Sequence, residues 1–405
     1  MRIQSIETFH LHHKYPAEDQ FSYAGGKCTA RLTTLVRVGT DTGHTGWGTA
    51  YTHPGMAELV ITHQLAPLLV GEDPREVETL WDRMYRITRW YGRKGPALTA
   101  LGALDTAFWD LRAQDLDKPL WQVLGAPKGR CPAYASALLW KTPSGLAEEA
   151  ATLIERGFRR VKMRLGMSEE QDVTAVRHVR EAIGRTHDVL VDASMRYNVP
   201  LAARMANALE ELGVFWLEEP FQPEEIDSYV ELKKQVGVRL AAGENEFGLQ
   251  GFRELIRAGA LDIVQPDVSR LGGLTEALRV AELAKREGLE VATHSWSDAV
   301  AIVANAHFMA SLPHGLTVEV DQTKNPFVDE LLTEPLRIRD GMLDLGDRAG
   351  LGVEIDESVL TRLALADPMS IPDGSYSDML FGRQHFTPAG PYEESTMTGN
   401  QDSFL

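Results

Sequence analysis

The stretch RRVKMRLG, residues 159–166, places Lys162 and Arg164 two positions apart among Val161, Met163 and Leu165. In a strand, residues i and i+2 point to one side, so the two cations share one face and Met163 and Leu165 share the other. A lone K-x-R reads most simply as a solvated edge strand. Downstream, however, short β-rich runs recur: DVLVDASM, VFWLEEP, VRLAAGEN, LDIVQPDVS, LEVATHSW and LTVEVDQ. Helical patterns such as VPLAARMANALEELG and GLTEALRVAELAKREG lie between them. The runs end in charged or titratable residues: Lys162, Asp192, Glu218, Glu244, Asp267, His294 and Glu319. The intervals between these are 30, 26, 26, 23, 27 and 25 residues. Each interval is about one βα unit, the signature of a parallel sheet. In a (β/α)8-type barrel the C-terminal strand ends converge on one mouth, where active sites sit. CPAYASALLW (131–140) supplies the first strand. An open doubly wound sheet would not bring seven consecutive strand ends together.

Composition sets the frame. At 405 residues, 43% hydrophobic and 24% charged, the chain has room for about two or three domains. Residues 1–128 are expected to form an α+β domain. Its RIQSIETFHL and TTLVRVGTDTG read as antiparallel strands joined by a D-x-G turn. Helical patterns follow in EVETLWDRMYRITRW and ALTALGALDTAFWDLRAQDL. Residues 129–345 carry the barrel pattern, and 346–405 read as short helix, turns and a polar tail, TPAGPYEESTMTGNQDSFL. Two cysteines, Cys28 and Cys131, are too few for a disulfide framework. MRIQSIETFHLHHKYP lacks a signal peptide's apolar core, so a cytoplasmic setting is expected. No apolar run approaches the roughly 18 residues of a membrane span. With 41 Lys+Arg against 58 Asp+Glu, a nucleic-acid partner is disfavoured.

An acid at a strand end is often only a helix cap, as Asp192 or Glu219 could be. A lone His294 would more often be structural. Seven such residues in phase are improbable as independent caps. Asp192, Glu218 and Glu244 put three carboxylates on consecutive strands, an oxygen-only set that suits Mg²⁺. Asp267 and His294 lie on adjacent strands, so the carboxylate can fix the imidazole tautomer and make His294 a general base. Lys162 and Arg164 stand where they offset the carboxylates and hold an anionic substrate.

In VKMRLG, VDASMRYN, WLEEPF, GENEFG, QPDVSRLGG, THSW and VEVD, in this order and spacing, the chain resembles the mandelate racemase subgroup of the enolase superfamily. The resemblance spans almost the whole length. It implies an α+β capping domain, completed by residues 346–405, over a (β/α)7β modified TIM barrel. It also implies Mg²⁺ on Asp192, Glu218 and Glu244, a His294–Asp267 dyad, and Glu319 as an acid that hydrogen-bonds the substrate carboxylate. Glu219 is expected to face away from the site as a structural residue. YGRKG and THSW are similar to acid-sugar dehydratases of the rhamnonate, lyxonate and fuconate kind. These remove the proton α to a carboxylate and expel the 3-hydroxyl.

The racemases proper carry K-x-K, whose second lysine is a base. Arg164 occupies that position and stays protonated, leaving Lys162 as the one lysine of that face able to act as acid or base. The expected function is therefore Mg²⁺-dependent dehydration of an aldonate. A hydroxy-acid racemase or epimerase and a non-catalytic sugar-acid binder are the alternatives. The expected partners are a small-molecule sugar acid and further copies of the chain in a homo-oligomer. Ser194, two residues after Asp192, is expected to face the substrate. Capping loops 14–28 and 50–56 offer Tyr23, Lys27 and His53 as substrate-binding residues. Trp90 and Arg93 are expected to serve domain packing.

Overall fold

The computed structural model describes residues 1–24 and 26–370. The tail TPAGPYEESTMTGNQDSFL lies outside the described residues. Five strands open the chain: β1 (Ile3–Lys14), β2 (Phe21–Tyr23), β3 (Gly26–Cys28), β4 (Ala30–Thr40) and β5 (Thr45–Thr49). β1, β4 and β5 form an antiparallel sheet in which Ile3 faces Thr40. β1 and β4 pair as their alternation predicts, but the D-x-G turn at Asp41–Gly43 joins β4 to β5 instead. The connection between β1 and β4 contains the β2–β3 hairpin, too short and mixed in polarity to register as alternation.

Two longer helices follow, and the second packs on this sheet. Val77–Thr88 buries Val77, Leu80, Trp81, Met84 and Thr88, the i, i+3, i+4 stripe of an amphipathic helix. Pro96–Asp115 begins with proline at its first turn, where the missing N–H costs nothing. It is buried on every side from Ala97 to Leu111 because it lies between the capping sheet and the barrel. Glycines permit that approach. A Cβ on Gly48 of β5 would sit 2.0 Å from the Ala103 carbonyl, and one on Gly102 would sit 2.5 Å from the Gly273 nitrogen.

The barrel strands are β6 (Arg130–Ser136), β7 (Arg160–Arg164), β8 (Asp188–Asp192), β9 (Trp216–Glu218), β10 (Arg239–Ala242), β11 (Ile263–Val264), β12 (Glu290–Thr293) and β13 (Gly315–Asp321). They pair in parallel in chain order, and β13 closes on β6 with Val318 opposite Ala133. Helical crossovers link all eight. After β13 come a single turn, Pro326–Asp329, the antiparallel pair β14 (Arg337–Arg339) and β15 (Met342–Asp344), β15 lying along β6, and a short helix, Glu357–Arg362. The architecture is (β/α)7β. Inside, Tyr134, Leu190, Trp216, Ala241, Ile263 and Ala292 plug the barrel. Outward residues such as Val161, Met163, Val189 and Val191 meet the helices. The chain then returns to the capping sheet, where the His12 N–H donates to Leu363 and the Leu365 N–H to His10, both at 2.8 Å. Among the described residues, no helix is long and apolar enough to cross a membrane.

Candidate active site

Inward parity, set by Tyr134, Leu190 and Trp216 in the plug, carries directly upward to the mouth. Two residues beyond Leu190 on β8 stands Asp192, and two beyond Trp216 on β9 stands Glu218. Glu244 follows β10. One carboxylate oxygen from each of Asp192, Glu218 and Glu244 lies within 4.8 Å of the others.

Opposite them, His294 Nδ1 is 2.7 Å from Asp267 Oδ2. Asp267 Oδ1 accepts from the Ser269 N–H at 2.8 Å, the Ser269 hydroxyl at 2.7 Å and Asn305 Nδ2 at 3.1 Å. These donors keep Asp267 an acceptor, so His294 carries its proton on Nδ1 and turns Nε2 toward Glu244, 3.8 Å away. Burial opposes charge on His294, but Glu244, Glu319 and Asp267 outweigh it and raise its pKa to about 9.

Lys162 and Arg164 are buried and turned inward together. Lys162 Nζ is 2.8 Å from both Glu218 and Glu319 and 3.6 Å from Asp192. Burial and Arg164 work against its ammonium, yet Glu218, Glu319 and Glu244 hold its pKa above the ordinary lysine value. The sequence left Lys162 open as a base; in this structure its Nζ is held between the carboxylates of Glu218 and Glu319. Arg164 pairs with Asp192 Oδ2 and lies over the Trp296 ring, 5.2 Å from its centroid. Glu319 Oε2 accepts from the Ser295 N–H at 2.8 Å. Burial works against its charge, but Lys162, His294 and Arg164 outweigh this and push its pKa well below the usual carboxylate range.

Ser194 stands beside the trio, bonded to Asp192. At φ 48° its backbone turns left-handed, and both its N–H (2.7 Å) and its hydroxyl (3.2 Å) are drawn to Asp192 Oδ1. Several expectations need correction. Glu219 does not face away. It lies past the end of β9 at φ 37°, so strand alternation does not apply to it. Its carboxyl accepts from Asn245 at 2.8 Å, and burial with the charges of Glu244 and Glu218 raises its pKa well above normal. Trp90 is 80% exposed and Arg93 is exposed, so neither packs one domain on another.

Of the capping-loop candidates, Tyr23 packs against a cluster of Tyr51, Leu139 and Trp296. Lys27 is exposed on β3, and His53 is half-buried with its pKa lowered by burial. Neither makes a described hydrogen bond to the carboxylate trio or the dyad. Sequence reading missed Tyr51, whose ring stacks on His294 at 6.2 Å and 19°, and Trp296 beside Arg164. Only the position of Trp296 two residues after His294 hinted at either.

The trio suits a hard divalent cation. Its donors are all carboxylate oxygens, and Glu244 Oε2 is buried without a hydrogen-bond partner. Two further buried acids beside the trio, Glu219 and Glu319, raise the electrostatic demand for positive charge.

The description "Mandelate racemase / muconate lactonizing enzyme, N-terminal domain" matches residues 5–125, and "Enolase C-terminal domain-like" matches residues 145–359. The chain is 31% identical over 381 residues to a D-galactarolactone cycloisomerase of Agrobacterium fabrum, covering 91% of this chain and 100% of that one. It is 32% identical over 330 residues to an arabinonate dehydratase of Saccharolobus solfataricus, covering 80% and 88%. A racemase from Streptomyces coelicolor, solved with bound magnesium, superposes at a TM-score of 0.82 with 30% identity, covering 90% and 100%. The carboxylate trio, the dyad and these matches together establish that the chain belongs to the enolase superfamily, in its mandelate racemase subgroup.

Proposed function

We propose that the protein is a Mg²⁺-dependent acid-sugar dehydratase that converts an aldonate to its 2-keto-3-deoxy acid. The observation that carries this reading is asymmetry. One side of the mouth holds an imidazole backed by a carboxylate, His294 on Asp267, and the other holds Lys162 and Arg164, each paired with carboxylates. Racemisation needs a proton acceptor on both faces of the reacting carbon; elimination needs one.

In this reading Asp192, Glu218 and Glu244 hold Mg²⁺, which supplies positive charge against a substrate carboxylate as electron density builds on it. Lys162 and Arg164 add fixed positive charge on the same side. In its neutral form His294 takes the C2 proton at Nε2, and the electrons of that C–H bond pass into an enediolate. Asp267 holds the imidazole in place and offsets the imidazolium that forms. The imidazolium then returns its proton to the departing 3-hydroxyl as the C3–O bond breaks. Water leaves, and the resulting enol tautomerises to the 2-keto acid. Glu319, ionised in this structure, hydrogen-bonds the substrate carboxylate only after taking up a proton. A second carboxylate arriving beside it favours that uptake.

Ring-opening elimination is a second reading, supported by the cycloisomerase named among the relatives. The departing oxygen would then belong to a ring, and the same residues would serve. The test is a panel of aldonates, aldarates and their lactones, with and without Mg²⁺, scored by semicarbazide for 2-keto acid. The reading predicts Mg²⁺-dependent 2-keto acid from an open-chain aldonate. Product from lactones alone would favour ring opening, and none from any member would refute both.

A further inference from the structure

Trp296 carries two guanidiniums on one indole. Arg164, from β7, lies 5.2 Å from the ring centroid, and Arg31, from β4 of the capping sheet, lies 4.6 Å from it. Arg31 is 1% exposed, and a buried guanidinium needs a partner for each face of its fork. It pairs with Asp321 at the end of β13 and donates to the Thr323 hydroxyl at 2.9 Å and the Tyr15 hydroxyl at 3.3 Å. Through Nη1 it also donates to the Trp296 carbonyl at 3.1 Å. Asp321 is fixed in turn by the Thr323 N–H at 2.9 Å and Asn325 Nδ2 at 3.0 Å. Asn325 Nδ2 also donates to the Ser297 carbonyl at 2.9 Å. One capping-sheet residue thereby fastens the backbone and the ring of the segment that follows His294.

Two like charges near one ring repel unless each is compensated. Each has its own carboxylate, Asp321 for Arg31 and Asp192 for Arg164. A counter-ion alone would leave the long Arg164 side chain several rotamers; an immobile aromatic face removes them. We propose that Arg31 and Trp296 are positioning residues: Arg31 clamps Trp296, and the clamped indole sets the Arg164 guanidinium against Asp192. The consequence for turnover rests on the dehydratase reading; the geometric claim does not. Docking of the capping sheet on the barrel then becomes a condition of the active-site geometry, although Arg31 touches no reacting atom.

The test compares Trp296→Leu, Trp296→Phe, and Arg31→Met combined with Asp321→Asn, which removes both charges of the buried pair together. Thermal melts establish folding, and crystal structures then locate Arg164. The Arg164 guanidinium is expected off Asp192 in Trp296→Leu and in the double variant, and back in place in Trp296→Phe. On an accepted aldonate, kcat is expected to fall about tenfold or more where Arg164 moves and to recover within about threefold in Trp296→Phe. Should the double variant not fold, Trp296→Leu decides alone. Arg164 at its original position in Trp296→Leu, or undiminished kcat despite its displacement, would overturn the proposal. A wild-type protein that turns over no sugar acid would sink the dehydratase reading, while the crystallographic comparison still decides whether the stack holds Arg164.

Discussion

The ring of Tyr51, from the capping domain, lies parallel to that of His294 at the barrel mouth, with 6.2 Å between centroids and 19° between planes. The imidazole is thus held edge-on by Asp267 and bounded on a face by a tyrosine from another part of the chain. Its remaining freedom is to gain or lose a proton at Nε2.

Asp267→Asn should leave the fold intact and cut the rate by about four orders of magnitude, as loss of a tautomer-fixing carboxylate does elsewhere. The measurement is kcat on the accepted aldonate beside a thermal melt. A near-normal rate would mean that Ser269, Asn305 and Tyr51 position His294 without the carboxylate.

Glu218→Gln separates stability from function. Burial raises the Glu218 pKa, and Glu244 and Glu319 add to the rise against the pull of Lys162, so its ionised form is unfavourable in the metal-free fold. The variant should be at least as heat-stable as wild type without metal, yet lose the rise in Tm that Mg²⁺ gives by binding the native state. A lowered metal-free Tm with an intact Mg²⁺ shift would be the opposite result.

Acid should destabilise the fold partly through His307, which is buried and donates to the Leu351 carbonyl at 3.1 Å. Burial lowers its pKa from 6.5 to about 4. The unfolded chain therefore binds a proton that the native state refuses. This contribution is fully present above pH 6.5 and disappears as the pH falls to about 4, a loss of about 3 kcal/mol. Asp105, Asp110 and Asp172 oppose it, since burial raises their pKa values to about 7, 6 and 7 and acid relieves their charge. The difference between wild type and His307→Gln in denaturant unfolding isolates the histidine. It should change with pH across this window; a constant difference would mean His307 is not the group that titrates.

The barrel was legible because its strands are apolar runs that recur at one βα unit and end on titratable residues. The trio and dyad were legible for the same reason: each sits at or within three residues of a strand end. Glu219 was misread because it sits past the end of β9 with positive φ, a conformation no pattern of residue types announces. Tyr51 and Arg31 were missed because they reach the site from the capping sheet and its loops, more than 200 residues from His294 and Asp321. Side-chain periodicity is local, and contacts of that span belong to tertiary packing.

The central claim is that the site has one base. The most direct measurement runs both C2 epimers of an accepted aldonate in D₂O with Mg²⁺ and follows product and remaining substrate by NMR. The account predicts that one epimer is dehydrated and that the other persists unchanged, with no inversion at C2. Interconversion of the epimers would contradict it, because a proton acceptor would then stand on the Lys162–Arg164 side as well.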